Sequence, residues 1–163
     1  MNVDGLKTGH TSGAGFNLIA SAVDGQRRLI AVVMGADSPK GREQQAAKLL
    51  HWGQQNFDTV QVLQKGQKVG TERIWYGDKE QIKLGTDQDF WLALPKAEVS
   101  RIKAKYVLDK KDLEAPIAAN QRVGEISLYD GDKVVGHYPL VTLESINKGG
   151  VFSRMSDYLH HEL

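Results

Sequence analysis

The sequence predicts an α+β protein: a partial antiparallel sheet with one helix, a small all-β sandwich domain, and a short amphipathic helix at the C-terminus. Three observations carry this prediction. A hairpin pattern followed by a capped helix fills the first 57 residues, short strands separated by turn residues fill residues 58–150, and apolar residues recur at helical spacing from residue 151. We therefore predict three segments, at residues 1–57, 58–150 and 151–163.

The hairpin is predicted over residues 14–34. Apolar side chains alternate from Phe16 through Leu18 to Ala22, which is the period of a strand with one buried face. Asp24-Gly25 is a tight-turn signal, and the apolar, β-branched run of residues 29–34 supplies the second strand.

A helix is predicted over residues 38–57. Ser38 is suited to cap its N-terminus, and Pro39 is suited to the first helical position. Helical spacing relates the apolar or small residues of one stripe, which are Ala46, Leu49, Leu50, Gly53 and Phe57.

The character of the sequence changes near Asp58. Asp130-Gly131 marks a hairpin, and turn residues also separate the other predicted strands, at 59–64, 69–76, 81–84, 90–94, 99–108, 122–129 and 134–143. This spacing predicts a small antiparallel sandwich that follows a short hinge at residues 56–59.

Composition narrows the classes of function. The 163 residues carry 21 Lys and Arg against 20 Asp and Glu, a net charge of +1, which provides no electrostatic argument for nucleic acid as a partner. There is no cysteine, so disulfides and thiolate metal sites are excluded. No run of about 18 apolar residues suggests a membrane span.

The main candidate site is Lys7-Thr8-Gly9, predicted to lie on a strand at the sheet edge beside the hairpin. An edge strand offers backbone groups to an extended peptide, the Lys ammonium and Thr hydroxyl can hold a terminal carboxylate, and Gly9 leaves room for it. A polar turn is the structural alternative for the triplet. His10 either lines this cleft or is a polar loop residue, and Arg42 either binds a carboxylate or is solvated in the first turn of the helix.

Several runs resemble the low-molecular-weight D-alanyl-D-alanine carboxypeptidases, a family of penicillin-binding proteins. The resemblance rests on residues 3–11, 14–18 and 41–43, and it continues through residues 74–78, 104–106, 115–116, 123–124 and 139–141. In such enzymes Lys-Thr-Gly is the third active-site element, after Ser-x-x-Lys and Ser-x-Asn. Ser100–Lys103 and Ser145–Asn147 match those two elements only in the wrong order, after Lys7. We therefore expect the serine nucleophile to be absent from this chain.

The resemblance implies that residues 1–57 are the end of a penicillin-binding, transpeptidase-like catalytic domain. The parent protein would be a serine-type carboxypeptidase on the periplasmic side of the bacterial inner membrane. It would remove the terminal D-Ala from peptidoglycan pentapeptide, bind β-lactams and need no metal or organic cofactor. Lys7, Thr8, Gly9, His10 and Arg42 would bind substrate, with Arg42 near its carboxylate. The chain alone is expected to be inactive.

The C-terminal stretch has an apolar face formed by Val151, Phe152, Met155, Tyr158 and Leu159. The resemblance favours a membrane-surface anchor through Phe152, Met155 and Leu159, and packing on the protein is the alternative.

Two further expectations concern association and a different class of function. Apolar faces without partners in the first segment predict a homo-oligomer that buries Leu18, Ile30 and Leu50. The alternative function is a non-enzymatic β-sandwich module that binds partners or a membrane and carries a vestigial Lys-Thr-Gly.

Overall fold

The computed structural model describes residues 1–25, 27–151, 155, 157, 158 and 160, and the chain divides into two units. The first unit comprises residues 1–60 and 93–99, and the second comprises residues 61–92 and the chain from residue 100 onward. The predicted boundary between residues 57 and 58 stays a prediction.

The first unit contains an antiparallel sheet of three strands, β1 (Asn2–Thr11), β2 (Gly15–Asp24) and β3 (Arg27–Ala36), in the order β1-β2-β3. The last two strands are the predicted hairpin. Asp24 pairs with Arg27 across a turn in which Gly25 adopts a φ of 63°, a conformation that glycine tolerates without strain. In the described part of the chain β1 pairs only with β2, so its outer edge is free.

Helix α1 (Pro39–Asn56) follows the sheet, as predicted. The Ser38 hydroxyl accepts a hydrogen bond from the Gly41 N–H at 3.0 Å, and Pro39 occupies the first helical position, where no N–H partner is required. The helix ends where Phe57 turns extended and donates its N–H to the carbonyl of Gly53.

One face of the sheet packs against α1. The shared core consists of Leu18, Ala20, Ala22, Ala31, Val33, Ala36, Ala46 and Leu50. Because most of these side chains are alanines, the helix can approach the strands closely. The expectation that Leu18 and Leu50 are buried in an oligomer is wrong, because this core already covers them, leaving them 3% and 4% exposed. Ile30 belongs to the opposite strand face and is 65% exposed.

Arg27 connects the hairpin turn to the end of the helix. Its guanidinium lies 2.6 Å from the Asp24 carboxylate and donates to the carbonyls of Gln54, at 3.1 Å, and Phe57. The Asp58 carboxylate lies 3.7 Å from the same guanidinium, and the Arg27 side chain is only 10% exposed. Hydrogen bonding to Arg27 lowers the pKa of Asp24 below its ordinary value.

The remaining strands are β4 (Phe57–Leu63), β5 (Lys68–Trp75), β6 (Gln81–Gly85), β7 (Phe90–Pro95), β8 (Ile102–Leu108), β9 (Leu113–Glu114), β10 (Arg122–Asp130) and β11 (Lys133–Thr142). β4 and β7 pair with each other, and the others form a sheet in the order β8-β10-β11-β6-β5-β9. Where we expected a sandwich, these six strands form one curled sheet. Strand β9 was not predicted, and residues 99–101 form a 3-10 turn instead of the predicted start of a strand.

The curled sheet surrounds the core of the second unit, which consists of Leu63, Ile74, Ile82, Leu84, Leu113, Ile117, Val123, Ile126, Leu140 and Ile146. Gly124 interrupts the regular register at the start of β10. A Cβ atom at this position would lie 2.1 Å from the carbonyl oxygen of Val107 on the neighbouring strand β8. Only glycine therefore allows the two backbones to approach this closely.

The C-terminal stretch contacts β5 through Asp157. Its carboxylate accepts the Tyr76 N–H at 2.9 Å and lies 3.2 Å from the Arg73 guanidinium. Val151 and Met155 are exposed. Phe152 and Leu159, on which the membrane-anchor prediction also rests, lie outside the described residues. Within the described ranges, no helix is long and apolar enough to cross a bilayer.

Candidate functional site

The Lys-Thr-Gly triplet lies on the edge strand β1. Lys7 and Gly9 stand opposite Ile19 and Asn17 of β2, and all three residues of the triplet are exposed. The backbone groups on the outer side of β1 are available to an extended peptide, because no strand in the described part of the chain pairs with that side.

The strand divides the predicted site residues between its two faces. Thr8 and His10 pair with Leu18 and Phe16, which puts them on the face that carries α1, whereas Lys7 lies on the opposite face. The Lys7 ammonium donates to the carbonyl of Thr8 at 2.7 Å. This hydrogen bond holds the ammonium close to the backbone of the triplet.

The ring of Phe16 brings His10 and Arg42 together. The imidazole of His10 stacks on Phe16 with centroids 4.0 Å apart and planes 25° apart. The guanidinium carbon of Arg42 lies 5.8 Å from the centre of the same ring, within cation–π range. His10 is therefore a strand residue held by an aromatic neighbour, and the loop interpretation is wrong.

Arg42 retains unused hydrogen-bond donors. Its backbone N–H continues the helix by donating to Ser38, while one Nη group makes a long contact of 3.4 Å with the Asn17 carbonyl. Its Nε atom is buried and has no partner among the described residues. A guanidinium that is fixed at its base and incompletely bonded can bind a carboxylate with paired N–H groups.

Sequence reasoning missed Phe16 and Asn17 as members of this site. The Asn17 side chain accepts the Gly35 N–H at 2.9 Å and donates to the Gly15 carbonyl at 3.4 Å, which anchors the start of β2 beside the triplet. Both residues occur in a run that resembles the carboxypeptidases, which is the signal that could have identified them. Their contacts depend on strand pairing and on the helix, neither of which the local sequence specifies.

The two motifs that follow Lys7, Ser100–Lys103 and Ser145–Asn147, lie in segments that form part of the structural framework. Ser100 lies in the 3-10 turn, so placing it on a strand was wrong, and Lys103 lies on β8. Ile146, at the centre of the second motif, is 1% exposed and exchanges backbone hydrogen bonds with Ile117 at 3.0 and 2.9 Å. The backbone carbonyl of Asn147 accepts a hydrogen bond from the Asp78 N–H at 2.9 Å.

The donors around β1 suit a carboxylate ligand. They are an ammonium, a hydroxyl and a guanidinium, which are groups that bind anions. In the described part of the chain, no cluster of three His, Asp or Glu side chains has the arrangement of a metal site.

Two family models match the chain. The model described as penicillin-binding protein 5, C-terminal domain, matches residues 57–148, and the model described as D-alanyl-D-alanine carboxypeptidase matches residues 1–38.

Curated relatives agree with these matches. D-alanyl-D-alanine carboxypeptidase DacD of Salmonella typhimurium is 76% identical over 162 residues, which are 99% of this chain and 42% of the relative. DacA of Escherichia coli is 44% identical over 165 residues, covering 99% of this chain and 41% of the relative. The chain spans about two-fifths of the length of these curated relatives.

Solved structures support the same assignment. Penicillin-binding protein 5 of Haemophilus influenzae matches with a TM-score of 0.76 and 42% identity, over 91% of this chain and 43% of that chain. Penicillin-binding protein 6B of Escherichia coli matches with a TM-score of 0.60 and 63% identity, over 87% of this chain and 35% of that chain. Since the model of the C-terminal domain alone covers more than half of the sequence, the chain belongs to the D-alanyl-D-alanine carboxypeptidases of the penicillin-binding protein family.

Proposed function

We propose that this chain is the C-terminal part of a serine-type D-alanyl-D-alanine carboxypeptidase that removes the terminal D-Ala from peptidoglycan pentapeptide. The observation that carries the proposal is the Lys-Thr-Gly triplet on the free edge of β1, in a chain of this family. The whole protein would act on the periplasmic side of the bacterial inner membrane and would bind β-lactams at the same site.

The chemistry of the edge strand suggests how substrate is held. An extended peptide can pair with the outer backbone groups of β1, and Gly9 leaves space beside them, because a Cβ atom there would meet no atom within 4 Å. Lys7 and the Thr8 hydroxyl then supply a charge and a donor for the terminal carboxylate, and Arg42 supplies further donors. His10 packs on Phe16 and lines the face on which Arg42 lies.

Bond cleavage requires groups that lie elsewhere in the parent. Acyl transfer of this kind needs a serine beside a base, and in this class of enzyme the Ser-x-x-Lys and Ser-x-Asn elements precede Lys-Thr-Gly. Loss of the nucleophile in a serine hydrolase costs on the order of a million-fold in turnover. The chain alone therefore neither hydrolyses D-Ala-D-Ala peptides nor becomes acylated by a β-lactam.

Labelled penicillin tests this proposal directly, since an acyl-enzyme survives denaturing electrophoresis. The 163-residue chain is expected to take up no label, whereas the complete DacD of Escherichia coli serves as a positive control. Stoichiometric labelling of the chain, abolished by Ser100→Ala, would show that Ser100–Lys103 is catalytic despite its position after Lys7.

A chimera tests the role of the triplet. Joining the upstream part of DacD to this chain is expected to restore labelling, and Lys7→Ala in that chimera is expected to slow acylation about 100-fold, the scale for losing one essential donor. Lys40→Ala, which removes an exposed lysine at the start of α1, is the matched control and is expected to have no effect. Equal rates for the two variants would remove Lys7 from the site.

We further propose that the all-β segment beyond residue 57 is a separate domain, in agreement with the family model that begins at that residue. The second candidate function is a non-enzymatic module that binds partners or a membrane surface. Exposed Val151 and Met155 favour it. The two functions are compatible, because a membrane-proximal domain can belong to an enzyme.

A further inference from the structure

A cleft in the first unit lies beside the C-terminal end of α1, and none of its lining residues belongs to β1. Its volume is about 410 Å³, and its walls come from the last turn of the helix and from the segment that follows β7. The lining residues are Trp52, Gln55, Asn56, Phe57, Pro95, Lys96 and Ala97. This volume is large enough for a sugar ring together with its substituents.

The floor of the cleft is an exposed aromatic surface. The indole of Trp52 is 56% exposed, although an indole of this size is normally largely buried. Its ring meets that of Phe57 edge to face, with centroids 5.5 Å apart and planes 62° apart. This contact supports the indole from one side and leaves its remaining surface open to a ligand.

The rim of the cleft is polar and incompletely bonded. The side chains of Gln55 and Lys96 and the indole N–H of Trp52 have no hydrogen-bond partner among the described residues. The Asn56 amide donates to the Trp52 carbonyl at 2.8 Å, which keeps its side-chain oxygen as an acceptor. Donors and an acceptor therefore surround an apolar platform.

The backbone holds the two walls together. The Lys96 N–H donates to the Asn56 carbonyl at 2.9 Å, so the segment after β7 is fastened to the helix end. The Glu98 N–H donates to the Pro95 carbonyl at 2.8 Å and closes a turn at the cleft margin. A site whose walls are already joined loses little conformational entropy on binding.

The lining points to a ligand with one apolar face and a polar circumference. An aromatic protein side chain would fill the floor but leave the rim donors without partners, at the cost of their lost hydration. A nucleic acid would require several cations, whereas Lys96 is the only charged residue among those that line the cleft. A pyranose ring stacks its C–H face on an indole, and its hydroxyl and acetamido groups can bond with amides and an ammonium.

We propose that this cleft binds the N-acetylated amino-sugar backbone of peptidoglycan, with one sugar ring stacked on Trp52. The inference rests on the proposed function, which gives this protein a substrate peptide attached to such a glycan. Binding the glycan strand at a second place would raise the effective concentration of the attached peptide at the edge of β1.

Peptide-free glycan provides the test. The probe is a β-1,4-linked tetrasaccharide of N-acetylglucosamine, added to the full chain and followed by the NMR signals of the indole N–H groups. The Trp52 signal is expected to shift, and Trp52→Ala is expected to weaken binding about tenfold or more, the change that corresponds to about 1.4 kcal/mol. Trp91→Ala is the matched control, since Trp91 is 47% exposed and lies outside the cleft; it is expected to bind within about twofold of the original chain.

Further variants keep the result decisive. Trp52→Phe retains an aromatic ring in a folded protein and is expected to bind with intermediate affinity, while Gln55→Ala removes a rim group and weakens binding without changing the thermal melt. No shift on adding the tetrasaccharide, or equal affinity of the Trp52 and Trp91 variants, would overturn the proposal. Glycan binding without acylation of the DacD chimera would refute only the carboxypeptidase function. Acylation of the chimera without glycan binding would refute only the cleft.

Discussion

Gly124→Ala is the perturbation whose cost the structure defines most sharply. The added Cβ would lie 2.1 Å from the Val107 carbonyl oxygen and 3.0 Å from the Cα atom of Leu108. Ordinary contacts between such atoms begin near 3.4 Å, and both neighbours are backbone atoms that cannot rotate away. Strand β8 must therefore move by about 1 Å relative to β10 to admit the methyl group.

Such a movement affects two free-energy contributions. Overpacking that shifts a backbone costs about 1–3 kcal/mol, and weakening a backbone hydrogen bond next to the site adds about 1 kcal/mol. The bond at risk is that from the Asp109 N–H to the Val123 carbonyl, at 2.9 Å. We expect the second unit to lose about 3 kcal/mol, which lowers Tm by roughly 10 °C or more in a domain of about 100 residues.

Thermal unfolding of the full chain, followed by circular dichroism, measures this loss. Gly150→Ala is the matched control, because it makes the same substitution in the same unit at a position where a Cβ atom meets nothing within 4 Å. The control is expected to melt within about 1 °C of the original chain. If Gly124→Ala also melts within that range, the close approach of β8 and β10 is incorrect.

Three further outcomes are expected. Ile30, Val32 and Met34 alternate along β3 and form an exposed apolar face that should drive self-association. Met34→Asp, at a side chain that is 79% exposed, should therefore shift light scattering toward the monomer. Met155→Asp should weaken co-sedimentation with lipid vesicles, because the exposed apolar surface of the C-terminal stretch would bind them. The 2.7 Å hydrogen bond to Glu72, aided by burial, raises the pKa of Tyr106, so Glu72→Gln should lower that pKa in an ultraviolet titration.

The raised pKa of Tyr106 also predicts how the stability of the folded chain depends on pH. A raised tyrosine pKa stabilises the folded chain at pH below about 10 and loses this effect as pH rises through the folded value, so Glu72→Gln should flatten the alkaline fall in stability. An unchanged titration would show that Glu72 does not hold the Tyr106 proton. Gln44→Asp, at an exposed position of α1, controls for the single added negative charge in the other two tests. A monomer at high concentration, or vesicle binding unaffected by Met155→Asp, would contradict the respective expectation.

Local signals in the sequence were sufficient for the elements of the first unit. Asp24-Gly25 marks the hairpin turn and Ser38-Pro39 marks the start of α1, and both features act within four residues of where they occur. The curled sheet of the second unit could not be predicted in this way. Its β5 pairs in parallel with β9, which joins Ile74 to Leu113, and two-residue strands have no periodicity to detect.

The candidate site shows the same division between local and distant information. The position of Lys7 on an edge strand followed from the adjacent hairpin pattern and from the resemblance. The stacking of His10 on Phe16 could not be anticipated, since it depends on the register of β1 against β2. The approach of Arg42 to that ring depends on how α1 lies on the sheet, and the 25 residues between Phe16 and Arg42 do not specify this locally.

The bonding of Arg27 has a consequence for anyone who wishes to insert a label or a second protein into this chain. Turns of hairpins ordinarily accept insertions, and the turns before Arg27 and before Lys133 look equivalent in sequence. The first is secured by a guanidinium that reaches the carbonyls of Gln54 and Phe57, so lengthening it would pull on the end of α1. In the second, the ion pair between Arg101 and Asp130, at 2.9 Å, lies before the exposed residues 131–133, so fusion partners belong between Gly131 and Asp132.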